Sequence, residues 1–202
     1  MESLVAFFLF AFVASITPGP TNVLVMSNAS RHGWPSALPM VIGGCAAAAT
    51  IVLLVGSGLT RSLAEHPQIQ RAIAWTGVAW LSWMAWHLFR SDSLGDDERA
   101  LGRGRGFTVA ATLQLVNPKV WMMALAVMGV FVTPGAGQGG RVALLSLIFF
   151  LVALPCMAIW AWLGIKAAAW TRSPGRLRWF NRAMAVLLLL TAWSTVVDVR
   201  VL

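Results

Sequence analysis

Charge is what this sequence has least of. Asp, Glu, Lys and Arg together make up 11% of its 202 residues, against roughly 25% in soluble domains. A chain that is 58% hydrophobic, with a mean hydropathy of +0.76, cannot cover its surface with charge. A soluble enzyme and a disordered chain are both excluded, and an all-α integral membrane protein is expected. Acids are scarcest of all. The seven are Glu2, Glu65, Asp92, Asp96, Asp97, Glu98 and Asp198, and only the last comes near an apolar run, at its end. Paired-carboxylate chemistry inside the membrane is therefore excluded. No buried acid is available to neutralise a basic substrate, which favours a neutral zwitterion. Cysteine is nearly absent too. Cys45 and Cys156 lie in separate apolar runs and are expected to be buried free thiols. There is no His/Cys metal spacing, phosphate loop or nucleophile elbow, so no metal, cofactor or enzymatic activity is expected.

What the chain has instead is long apolar segments. Six approach the roughly 20 residues that a spanning helix needs: 4–27, 36–59, 72–89, 107–132, 142–165 and 183–199. The stretch Met1-Glu2-Ser3 lacks the basic residues of a cleaved leader, so the first segment is expected to remain as a span. The net charge of +8 is explained better by membrane orientation than by nucleic acid, because most basic residues fall between the spans. With six spans, Arg61, Arg71, Arg141 and Arg200 share one side. The opposite side carries Arg31, then Arg90, Arg99, Arg103 and Arg105, then Lys166, Arg172, Arg176, Arg178 and Arg182. Ten against four makes the second side cytoplasmic and puts both termini in the periplasm.

One domain over 1–202 is expected, made of halves 1–90 and 107–202 joined by a cytoplasmic linker, 91–106. The linker, SDSLGDDERALGRGRG, reads as a solvated connection. Three spans per half make the halves enter from opposite sides, a 3+3 inverted repeat. Proline interrupts the first span of each half: Pro18 and Pro20 in span one, Pro118 in span four. Matching interruptions are the best sequence pointer to a transporter's binding site. Proline has no N–H, so Pro18, Pro20 and Pro118 should leave the carbonyls of Ala14, Ile16 and Gln114 without their helical donors. In hydrocarbon an unpaired backbone group costs several kcal/mol.

Thr17-Pro18 and Asn117-Pro118 each resemble a helix start, a capping residue followed by proline. Two half-helix N-termini near mid-bilayer would favour a carboxylate. Plain proline kinks are the alternative, but the polar neighbours Thr21, Asn22, Gln114, Asn117 and Lys119 are more than kinks require. With Thr17, Pro18, Gly19, Pro20 and Pro118 these form the candidate substrate site. Lys119 has two readings: it attracts a substrate carboxylate, or it satisfies carbonyls freed in the other broken helix. His87 beside Trp83 and Trp86 reads as an interfacial aromatic belt. Gly43, Gly44 and Ala46 to Ala49 form a small-residue face for close helix packing, or line a pathway beside Cys45.

The motifs TPGPTNVLVMSNASRHGWPSAL, WTGVAWLSWMAWHLFRS and FTVAATLQLVNPKVWMM resemble those of the lysine/homoserine exporter (LysE/RhtB) family of bacterial amino-acid exporters. SNASRHG and LQLVNPK are most similar to the branch that exports cysteine and O-acetylserine. The resemblance covers nearly the whole chain. It implies a six-helix, multi-pass secondary transporter of the bacterial inner membrane that exports small amino acids or derivatives. It also implies ion-motive-force coupling, although the missing intramembrane carboxylate leaves room for a cation on freed carbonyls or for uniport. Its signature positions fall on Pro18, Gly19, Pro20, Asn22, Asn117, Pro118 and Lys119. The implied partners are the lipid bilayer, a small neutral substrate and a coupling ion, with no nucleic acid. A membrane thiol-redox conduit is the rival reading, but it needs cysteines in the broken helices. A non-transporting scaffold or sensor is another, with no residue pattern behind it.

Overall fold

The computed structural model describes residues 2–59, 67–90, 105–132, 135–170 and 173–199. Most of the expected linker 91–106 lies outside the described residues. Helices account for nearly all the described residues, and among those residues there is no strand. Helix α1, Glu2–Ile16, is apolar and ends where Pro18 removes a donor. After the break, α2, Pro20–His32, starts with proline at N1, where its missing N–H costs nothing. Gly33 ends α2, its N–H donating to the Ala29 carbonyl, and also caps α3, Trp34–Leu54. At φ 70° and ψ −166° it occupies a region essentially restricted to glycine. The first interhelical turn is thus one residue long. A π-helical turn, Val55–Leu59, extends α3.

Helix α4 is Pro67–Arg90. The second broken pair follows as α5, Gly106–Val116, and α6, Pro118–Phe131. The chain then runs through α7, Gln138–Trp170, and α8, Pro174–Val199. Trp34–Gly58 and Gln138–Ala168 are each long and apolar enough to cross a membrane. The two broken pairs bend by 55° and 65°, and bring the number of spans to four when each pair counts as one. Phe8, Leu9 and Val13 on α1 and Leu147 and Leu151 on α7 are each more than half exposed. Apolar stripes of this kind belong against lipid. The chain is an integral membrane helical protein.

Several helices run beyond the apolar segments. Arg31 lies in the last turn of α2, Lys166 within α7, and Arg176, Arg178 and Arg182 on α8, all counted from sequence as loop residues. Two of these cations find aromatic faces. Lys166 sits 5.6 Å from the Trp162 ring and Arg182 5.1 Å from Phe89. At the end of α4, Arg90 lies 5.4 Å from Trp86, and Trp83 and His87 are 4.4 Å apart.

Packing places the two breaks at the centre. α3 lies along α5 and α7, α2 along α7, and α4 along α8. Glycines set the closest approaches. A Cβ on Gly43 would collide with the Phe107 backbone, and one on Gly77 with the Val116 carbonyl. The small-residue face of α3 is therefore a packing surface at Gly43. One core joins α1, α2, α3, α5, α6 and α7; a smaller one joins α2, α4, α5 and α8 around Val23, Leu81 and Leu113. Phe7 of α1 meets Phe131 of α6 edge-on at 5.2 Å.

Candidate functional site

Most carbonyls at the breaks can be followed to a partner; that of Ala14, whose helical donor Pro18 lacks, has none among these bonds. At the first break Thr17 ends α1, its N–H and its hydroxyl both donating to the Val13 carbonyl. The side chain of Asn22 reaches back from α2, its Nδ2 donating to the Ser15 carbonyl at 2.9 Å. The indole of Trp160, on α7, donates to the Ile16 carbonyl at 3.1 Å. Lys119 Nζ donates to the Thr17 carbonyl at 3.1 Å. Thr17 is therefore not the N-cap expected from sequence. Gly19, in extended backbone and without a side-chain cap bond, takes that place, and Pro20 rather than Pro18 stands at N1. The reason is local: the Thr17 hydroxyl is already committed to the turn behind it.

The second break follows expectation. Asn117 is the N-cap of α6, its Oδ1 accepting from the Lys119 N–H, with Pro118 at N1. Its own N–H donates to the Gln114 carbonyl at 3.2 Å, which supplies one of the freed acceptors. Trp121 Nε1 donates to the Leu115 carbonyl at 2.8 Å.

The breaks meet. Thr21 Oγ1 donates to Gln114 Oε1 at 2.8 Å, and Asn117 Nδ2 donates to the same oxygen at 3.1 Å. Gln114 Nε2 donates to the Gly44 carbonyl of α3 at 3.1 Å. Gln114 thus ties α2, α3, α5 and the second break together, and both lone pairs of its Oε1 are occupied.

Between the breaks lies a cavity of about 50 Å³. Of the residues expected from sequence, Gly19, Thr21, Asn22, Gln114, Asn117 and Lys119 line it; Thr17, Pro18, Pro20 and Pro118 shape the backbone without lining it. The opposite wall is apolar and soft, from Cys45, Met123, Phe149 and Met157. Reading the sequence missed Ser15 and the last three of these, which lie on apolar helix faces with no local signal. Cys45 was foreshadowed as a neighbour of the small-residue face. Both cysteines are buried free thiols.

Electrostatically the cavity is one-sided. Lys119 is the one charged residue that lines it. No Asp or Glu occurs between Glu2 and Glu65 or between Glu98 and Asp198, so no acid can approach along the lining helices. Two of the three ammonium protons of Lys119 remain after its bond to Thr17. The N–H groups of Thr21 and Asn22, in the first turn of α2, have no intrahelical acceptor. A carboxylate placed there would meet a cation and a positive helix end together. Among the described residues no cluster of His, Cys, Asp or Glu can hold a metal. Chemically, such an arrangement can hold and orient a carboxylate.

Two broken apolar helices meeting around a polar cavity match the pattern of a membrane transport protein. The model of the LysE-type translocator matches residues 12–198, and the chain belongs to that family. It is 31% identical over 160 residues to the cysteine/O-acetylserine efflux protein of Salmonella choleraesuis, covering 79% of this chain and 80% of the relative. It is 28% identical over 188 residues to the protein of the same name in Escherichia coli K12, covering 93% and 94%. No solved structure matches the chain.

Proposed function

We propose that the protein is a secondary transporter that exports a small neutral amino acid or close derivative across the bacterial inner membrane, bound between the two breaks. The observation that carries this reading is the single cation, Lys119, in an acid-free cavity formed by both broken helices. Its relatives' names point to cysteine or O-acetylserine. The soft wall of Cys45, Met123 and Met157 suits an uncharged side chain of that size.

Six spans in a 3+3 inverted repeat make sense of the packing. The pair α1 and α2 corresponds to α5 and α6, α3 to α7, and α4 to α8. Exchanging the halves then turns the contact of α3 with α5 into that of α7 with α1, and the contact of α2 with α7 into that of α6 with α3. The contacts of α3 with α7 and of α4 with α8 map onto themselves. An indole also closes one carbonyl at each break. The halves are 1–90 and 107–202, joined on the cytoplasmic side by 91–106. The Lys/Arg asymmetry puts both termini in the periplasm. Coupling falls to an ion held by backbone carbonyls or to the substrate gradient, since no intramembrane acid is present.

Inside-out vesicles carrying the protein test the reading. They should accumulate radiolabelled L-cysteine or O-acetyl-L-serine above empty vesicles, and Lys119→Met should abolish the difference. Equal accumulation with and without the protein would refute transport of these substrates. Reporter fusions after Leu202 and near Arg103 test the orientation; alkaline phosphatase activity at Arg103 and none at Leu202 would reverse it.

A further inference from the structure

The carboxylate of a zwitterion is provided for at Lys119, but its ammonium has no acid to meet. Most acceptors around the breaks are already engaged. The Ser15 carbonyl takes Asn22, the Ile16 carbonyl takes Trp160, and the Thr17 carbonyl takes Lys119. The Gln114 carbonyl takes the Asn117 N–H, and Gln114 Oε1 takes Thr21 and Asn117. Three oxygens on residues that line the cavity take part in no hydrogen bond at all. The Ala14 carbonyl lost its helical donor to Pro18. Asn22 donates through Nδ2 and leaves Oδ1 with no hydrogen bond. Ser15 is 9% exposed, and its hydroxyl is buried without a partner.

We propose that Ala14 O, Ser15 Oγ and Asn22 Oδ1 form an ammonium subsite, and that it makes a free α-amino group a condition of transport. The proposal rests on the reading of the cavity as an amino-acid site. Three acceptors match the three N–H bonds of an ammonium. Leaving a buried hydroxyl unpaired is costly, and a ligand that arrives with N–H donors removes that cost. Position supports the pairing with Lys119. A single carbon placed as a Cβ on Gly19 would lie 3.3 Å from Lys119 Nζ and 3.5 Å from Asn22 Oδ1. One small centre therefore reaches both poles, as in an α-amino acid, where both charged groups stand on one carbon. Glycine at 19 keeps that space open. A substrate acylated on nitrogen loses the charge and two of the donors. One acylated on its side-chain oxygen keeps all three.

Competition against radiolabelled L-cysteine uptake into proteoliposomes, under reducing conditions, tests this with the full chain. For the unmodified protein, 3-mercaptopropionate and N-acetyl-L-cysteine should compete at least about tenfold less well than L-cysteine. Ser15→Ala should narrow the gap between L-cysteine and 3-mercaptopropionate by about 5- to 10-fold. It should do so by weakening L-cysteine alone, with the melting temperature unchanged or raised, because the lost hydroxyl was unpaired. A gap that survives in Ser15→Ala overturns the subsite. So does equal competition by all three compounds in the unmodified protein, a comparison that stands even if the variant does not fold. Absence of any L-cysteine uptake by the unmodified protein would instead refute the transport reading on which the subsite depends.

Discussion

At the second break, Asn117 caps α6 with its own side chain, and Trp121 closes the carbonyl of Leu115, six residues back. At the first, Gly19 provides no side-chain cap, and the carbonyls of Ile16 and Thr17 are closed by Trp160 and Lys119, 144 and 102 residues away. Both breaks begin with proline and both free their carbonyls, yet one is held by its immediate sequence and the other by the assembled bundle. A break held by distant partners keeps its shape only while those partners stay in place. In a transporter whose halves move against each other, the first break is the one whose bonds such motion would untie. The polar cavity lies against it, and Ser15 and Asn22 belong to it.

The comparison can be broken most sharply at Lys119, which serves both breaks. Lys119→Gln keeps a donor for the Thr17 carbonyl but removes the charge. Hydrogen bonds to charged groups contribute about 1.5–3 kcal/mol, so apparent substrate affinity in vesicle uptake should fall about 10- to 150-fold with expression intact. Uptake that matches the unmodified protein would leave Lys119 a purely structural strap. Next come the two indoles. Trp160→Phe should cost about 1–3 kcal/mol in thermal unfolding, because a buried carbonyl loses its only side-chain donor. Trp121→Phe should cost less than about 1 kcal/mol, since the Asn117 cap still fixes that turn. Equal losses would remove the contrast between the breaks.

Asn117→Ala should destabilise by about 1 kcal/mol, the usual effect of losing an N-cap. Gly19→Ala has no cap to lose and should leave stability within about 0.5 kcal/mol. It should impair uptake nonetheless, through crowding beside Lys119 and Asn22. Thr21→Val severs the link to Gln114 Oε1 and should cost about 0.5–1.5 kcal/mol. Amide hydrogen exchange offers a test without substitution. The turn from Thr17 to Asn22 should exchange faster than the turn from Leu115 to Val120. The reverse order would contradict the proposed division of labour.

How legible this was in the sequence follows the same line. The second break could be read residue by residue, because Asn117, Pro118 and their acceptors are neighbours. The first could be located but not parsed. Thr17-Pro18 reads as the start, and only the fold shows the Thr17 hydroxyl bound to Val13 and Gly19 standing as the cap before Pro20. Nothing local in Trp160 announces a partner at Ile16. Of the two readings of Lys119, closure of a freed carbonyl is seen at Thr17, while its place in the cavity wall is what the proposed substrate role rests on. Helix centres were legible from apolar runs, but helix ends were not. α8 begins at Pro174, not at residue 183, because basic residues with long apolar stems extend a membrane helix past its hydrophobic stretch.

Helix α7 is 33 residues long, about 50 Å at 1.5 Å per residue, against a hydrocarbon core of about 30 Å. It also carries Trp160 and the cavity residues Phe149, Ala153 and Met157. A helix longer than the layer it crosses leans, kinks or thickens the lipid around it, so its inclination depends partly on the thickness of that lipid. The seal on the first break is thereby connected to the acyl chains outside. Uptake measured in bilayers of graded chain length should pass through an optimum, and a flat response would show that the neighbouring helices alone fix its inclination.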